Sequence, residues 1–211
     1  MLKHLTLVIA ALAIWLGSTP ATACKGDKVL FDDDFSTLDR AWGAQSEHFS
    51  VKDGRLVVKP ASNMVFWSWN PAFTFDDADA CLTVTLVETS DPTNSSAGLM
   101  FWVKDNANFY VMNIASNGFY KVNRKVAGKW VADPIAWTQT DAVNQRPSQP
   151  NVLRVTTKGQ SVTLVINDKE VARFRAQAPD GPSYVGVFAT SAKPETDTWA
   201  FANLKVTNVR P

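Results

Sequence analysis

The chain of 211 residues carries 21 Lys and Arg against 20 Asp and Glu, a formal charge of +1. Such near-neutrality leaves no basic footprint for nucleic acid and equally disfavours an anionic membrane surface as the main partner. The length suits one domain with a full-sized core, and no break in composition marks a linker.

Residues 1–23 are expected to be a signal peptide. Lys3 and His4 open it, Leu5 to Leu16 is apolar apart from Thr6, and Ala21-Thr22-Ala23 supplies the small residues before a cleavage site. That apolar run is too short to span a bilayer, and nothing later is long and apolar enough, so an integral membrane protein is not expected. A single mature domain over 24–211, exported to the periplasm or beyond, follows. Its two cysteines, Cys24 and Cys81, read first as a disulfide pinning the new N-terminus to a strand. The rival reading is a lipoprotein acylated at Cys24. Against it, Ala-Thr-Ala lacks the large aliphatic residue that lipoprotein processing favours, and Cys81 would be orphaned.

In chain order, residues 28–35 (KVLFDDDF) predict a short strand with an acidic middle, and 36–42 (STLDRAW) a helical turn capped by Ser36. Residues 47–51 and 55–59 predict two strands around Asp53-Gly54. Residues 64–69 (MVFWSW) form a strand dense in rings, with Val65, Trp67 and Trp69 on one face. The run 81–88 (CLTVTLVE) alternates cleanly, with Leu82, Val84 and Leu86 inward.

Residues 98–124 read as three strands in series. Asn117-Gly118 suits a type I′ turn, since both residues tolerate positive φ. Alternation places Leu99, Phe101, Val103, Tyr110, Met112, Ile114, Tyr120 and Val122 on the core side. The opposite set is Met100, Trp102, Phe109, Val111, Asn113, Phe119, Lys121 and Asn123, where rings mix with amide and ammonium groups. A further hairpin end is expected at Gly128 to Trp130, and 133–150 reads as a long irregular stretch. Strands at 152–157, 161–167, 171–175, 184–190 and 199–206 complete the chain. Regular strand spacing with Gly, Asn and Asp turns predicts an all-β, two-sheet antiparallel sandwich.

Nucleophilic catalysis would rest on His48 alone, with no G-x-S-x-G elbow, and zinc finds neither a His pair nor closely spaced cysteines. Glycoside hydrolysis needs two carboxylates facing one cleft, yet the glutamates are only Glu47, Glu88, Glu170 and Glu195, near turns or strand ends. The acidic clusters are Asp32-Asp33-Asp34 and Asp76-Asp77-Asp79. No cofactor is expected; a structural calcium is the lesser alternative, since no full loop signature exists, and Asp34 and Asn203 would be its ligands if the first and last strands pair.

The segments VLFDDDFSTLDRAW, AGLMFWVKDNANFYVMNIASNGFYKVNR, NVLRVTTKGQSVTLVINDKEVARF, YVGVFATS and FANLKV together resemble concanavalin A-like jelly rolls. Within these they are most similar to laminin-G-like and 3-keto-disaccharide-hydrolase-like domains of bacterial exported proteins. The resemblance covers most of 28–207, and its motifs specify strands and turns without carrying chemistry. It implies a jelly-roll sandwich with one concave sheet, the face that commonly binds carbohydrate in that superfamily.

Sugars stack C–H faces on rings and pair hydroxyls with planar polar groups, so a sugar site needs both on a rigid sheet. Trp67, Trp69, Trp102 and Phe109 with Asn113, Lys121 and Asn123 meet that description, with Arg124 and Trp130 at the rim. The expectation is an exported, non-catalytic carbohydrate-binding domain with a saccharide or glycan ligand. The alternatives are a glycoside or keto-disaccharide hydrolase using Asp residues in the same groove, and an envelope module docking a protein partner.

Overall fold

Runs of alternating β-branched and apolar residues form strands throughout the computed structural model, which describes residues 24–89, 91, 94–146, 148–192 and 196–210. The expected signal peptide therefore lies outside the described residues. Strands are numbered in chain order. One sheet runs β13 (Lys169–Arg175), β12 (Ser161–Ile166), β11 (Pro150–Lys158), β5 (Ala78–Glu88), β15 (Thr198–Thr207), β3 (Arg55–Val58) and β2 (Phe49–Lys52), with β1 (Val29–Asp33) also on β15. The other runs β10 (Ile135–Gln139), β8 (Phe119–Val126), β7 (Asn108–Ala115), β6 (Ala97–Asp105), β14 (Tyr184–Thr190) and β4 (Val65–Trp69), with β9 (Lys129–Trp130) also on β8. Every pairing is antiparallel, so the two sheets make the expected jelly-roll sandwich.

Period-two alternation supplies the core between them. Leu82, Val84, Leu153 and Val155 from the first sheet belong to one buried cluster with Leu99, Phe101, Met112 and Ile114 from the second. Each such side chain withdrawn from water contributes about 1.5–3 kcal/mol. A disulfide joins Cys24 to Cys81, with Cα atoms 5.6 Å apart, and an acylated Cys24 is incompatible with that bond. Beside it, buried Asp79 accepts from Lys25 N (2.6 Å), Arg154 Nε (2.8 Å) and Thr156 Oγ1 (2.7 Å), which fastens the N-terminal segment to β5 and β11.

Four local expectations are corrected. Trp102 and Val103 exchange faces, because a bulge in β6 places Trp102 at φ +49° and breaks the alternation. The Trp102 ring then packs with Phe101 and Tyr110 in the core between the sheets, and Val103 turns outward. The β7–β8 connection is a three-residue loop, Ser116 to Gly118, in which only Gly118 has positive φ (+90°). That is the three-residue hairpin with glycine in the left-handed position. The turn near residue 40 is a 3-10 turn over Arg40–Trp42 capped by Asp39, whose carboxylate accepts from Ala41 N. Finally, the stretch expected to be irregular contains β10, an edge strand on β8.

Candidate functional site

The side of the second sheet turned away from the core carries a second, smaller cluster. Met100, Val103, Phe109, Val111 and Phe188 are its buried base, and Trp67, Trp69 and Tyr184 pack on them. Register fixes the rows. Asn113 lies between Lys121 and Gly98, Val111 lies between Asn123 and Met100, and Phe109 is opposite Lys125. Phe188 lies between Gly98 and Trp67, and Gly186 between Met100 and Trp69.

This face is concave, as its ring contacts require. Trp130 on β9 meets Phe188 on β14 with centroids 6.1 Å apart. In a flat sheet those strands would stand four spacings apart, about 19 Å. Trp67, from the opposite edge, reaches Phe109 at 5.7 Å. The sheet curls until rings from both edges meet over its middle. Glycines at 98 and 186 serve that curl, since a Cβ on Gly98 would fall 1.8 Å from Met112 O and one on Gly186 2.3 Å from Ser68 O.

The base of the face is thus Met100, Val103 and Val111 with the rings of Phe109 and Phe188, and the larger indoles lie over it. Trp130 and Trp137 are 45% and 43% exposed, while Trp67 and Trp69 are half-buried. Lys125 Nζ lies 4.4 Å from the Trp67 ring centroid, 5.5 Å from Phe109 and 5.7 Å from Trp130. An ammonium among ring faces is attracted by their quadrupoles, so the chain's own cation helps hold the tier in place. Trp67 Nε1 donates to Asn106 Oδ1 (3.1 Å), and Trp69 stacks on Tyr184.

The polar groups form one chain. Asn113 Nδ2 donates to Asn123 Oδ1 (2.7 Å), and Asn123 Nδ2 donates to Asp133 Oδ1 (2.7 Å). Lys121 Nζ stands 4.0 Å from Asp133 Oδ2 and 4.7 Å from the Trp137 centroid. Burial pushes the Lys121 ammonium below its ordinary value, and the Asp133 carboxylate opposes that shift. Asn113 is fully buried, so it positions Asn123 from below.

Of the residues singled out from sequence, Trp67, Trp69, Phe109, Asn113, Lys121, Asn123 and Trp130 meet on this face. Trp102 and Arg124 do not. Arg124 lies at the mouth between the sheets, its guanidinium 5.1 Å over the Tyr110 ring. Lys125, Tyr184 and Phe188 were not foreseen, and Asp133 and Trp137 were marked only as part of the 133–150 stretch. Lys125 continues the 119, 121, 123 alternation and could have been found by it, but nothing local marks Asp133.

The other candidates lie elsewhere. Asp32 and Asp33 are on β1 and Asp79 on β5, in the first sheet. Asp34 and Asn203 flank the β1–β15 pairing, which runs to Asp33 opposite Leu204. The Asp34 carboxylate accepts from Ser36 N (2.8 Å), and its hydrogen bonds to Ser36 hold it below the usual carboxylate range. Among the described residues, the one grouping of three His, Cys, Asp or Glu ligand atoms is Cys24, Asp79 and Cys81, whose cysteines form the disulfide. No helix among the described residues is long and apolar enough to cross a membrane.

A family model described as the 3-keto-alpha-glucoside-1,2-lyase-like domain matches residues 26–207. No curated protein sequence matches the chain. Among solved structures, the carbohydrate-binding module CBM66 from Bacillus subtilis aligns at TM-score 0.59 and 13% identity, over 76% of this chain and 91% of its own. The Emp47p carbohydrate recognition domain aligns at 0.65 and 17%, over 91% and 100%. The laminarinase catalytic domain from Thermotoga maritima aligns at 0.66 and 9%, over 87% and 99%. At these identities the likeness is one of fold.

Proposed function

We propose, from the premise that the chain belongs to the 3-keto-alpha-glucoside-1,2-lyase-like domain family, that it is an exported domain that binds a saccharide on the concave face of its second sheet without altering it. The observation that carries this reading is the juxtaposition on one face of solvent-reaching indoles with the Asn113–Asn123–Asp133 chain. Rings offer flat apolar surface to sugar C–H groups, and the Asn123 amide, oriented by Asn113, and the Asp133 carboxylate offer partners to hydroxyls. A carbohydrate-binding module and a carbohydrate recognition domain among the similar folds support the reading, as the disulfide supports export.

Titrating the protein with a glycan panel while following tryptophan fluorescence tests it. The expected result is a saturable change for at least one glycan that Trp67→Ala weakens tenfold or more. Silence across the panel refutes the reading.

A second reading, an enzyme acting on keto- or ordinary disaccharides, draws on the family description and on Asp133 beside the partly desolvated Lys121. There Lys121 or Asp133 would move a proton at the sugar. A product assay on mixed disaccharides separates the two readings, since binding alone leaves the sugars intact.

A further inference from the structure

At the end of the second sheet that carries the β6–β7 and β8–β9 turns lies a pocket of about 330 Å³, within the range that holds small ligands. Its lining includes Lys104, Arg124, Lys125, Trp102, Phe109 and Tyr110. Phe109 and Lys125 also belong to the concave face, so the pocket adjoins the ring tier.

The charges of this lining are unbalanced. Among the described residues no carboxylate lies within ion-pair distance of Lys104, Arg124 or Lys125. Lys104 Nζ donates to two backbone carbonyls, those of Asp180 and Pro182, each at 2.8 Å. Arg124 Nη2 donates to Gln177 Oε1 (2.7 Å), and its planar fork lies over Tyr110. That leaves most of its five N–H donors unclaimed. Asp180, the one acid of the lining, is exposed. In a chain with nearly equal numbers of acids and bases, three cations at one pocket without a carboxylate partner is a local excess.

We infer that this pocket is a subsite for the acidic group of a saccharide, a carboxylate or sulfate held by the Arg124 fork beside Lys104, with the sugar ring extending onto the adjoining indoles. A fork of parallel N–H donors matches such a group, and a point charge beside it adds attraction with little directionality. This rests on the saccharide-binding reading above and narrows its ligand class.

The test compares a glucuronate tetramer with a glucose tetramer of the same linkage, by tryptophan fluorescence at low salt and at 0.5 M NaCl. The acidic tetramer is expected to bind at least tenfold tighter at low salt, and the preference to shrink at high salt. Arg124→Leu and Lys104→Met should each bring the acidic-to-neutral ratio towards one. Arg124→Lys, which keeps the charge and loses the fork, should restore it only in part. Equal affinities in the unaltered protein, or a ratio unmoved by Arg124→Leu in a variant with native near-ultraviolet dichroism, overturn the inference while the saccharide reading stands. A glucuronate monomer that perturbs the Trp102 indole resonance when neither tetramer binds would uphold the acidic pocket and sink the ring platform. No response to any of the three overturns both.

Discussion

Replacing Gly98 with alanine tests the curl that shapes the concave face. The added Cβ would lie 1.8 Å from Met112 O, 2.7 Å from Met112 C and 2.9 Å from Asn113 Cα. All three are backbone atoms of β7, so no side-chain rotation relieves the clash, and β6 must retreat by roughly 1 Å or more to regain van der Waals contact. Overpacking of this kind costs about 1–3 kcal/mol. Opening the ladder there weakens two backbone hydrogen bonds at about 1 kcal/mol each. The sum is about 3–5 kcal/mol, which lowers Tm by about 6–20 °C in a domain of this size. Thermal and urea unfolding, followed by tryptophan fluorescence and near-ultraviolet dichroism, measure it. Gly128→Ala is the control: its φ of +79° strains an alanine, yet nothing lies within 4 Å of the new Cβ, so the loss is about 1 kcal/mol. A Gly98→Ala protein within about 1 kcal/mol of the unaltered one would refute the argument that glycine is required where the strands close up.

Changing Cys24 and Cys81 to serine together frees a loop spanning a sequence separation of 57, and loop-closure entropy then sets the loss at about 4 kcal/mol in equilibrium urea unfolding. Asp79→Ala removes the acceptor of three hydrogen bonds and leaves Arg154 unpaired at 19% side-chain exposure. A loss of about 3 kcal/mol is expected by denaturant titration, the low end for a broken buried pair, because Arg154 keeps some water. For Lys121, the folded pKa is below the ordinary 10.5, so the unfolded chain binds more protons between the two values and stability attributable to this group rises with pH across that window. The stability difference between the unaltered protein and Lys121→Met should therefore shift in favour of the lysine protein from neutral pH to pH 11. A flat difference would contradict the desolvation of this side chain.

Strand identity was legible wherever period two and turn chemistry agreed. β12, β14 and the Asn167-Asp168 turn, with φ values of +49° and +64°, are written in short-range sequence. Facing was legible until the backbone broke step. Nothing around Trp102 announces a bulge, because a positive φ at a bulky residue is a strain accepted for packing between the sheets. β10 escaped notice because Ala136 to Gln139 are exposed and lack an inward apolar alternation. The candidate site was legible as a set of rings and amides on one strand series. The curl that brings Trp67 and Trp130 onto Phe109 is a property of the whole sheet, and Asp133 comes from the β9–β10 connection, where no local pattern specifies its place beside Asn123 and Lys121.

The two ends of the domain sit side by side. Gly26 N donates to Thr207 Oγ1, Lys28 N to Asn208 Oδ1, and Asp27 pairs with Arg210, all beside the first sheet. Any tether joined at either end would therefore leave from the back of the sandwich. The indole tier, on the outer face of the second sheet, would then point away from the point of attachment.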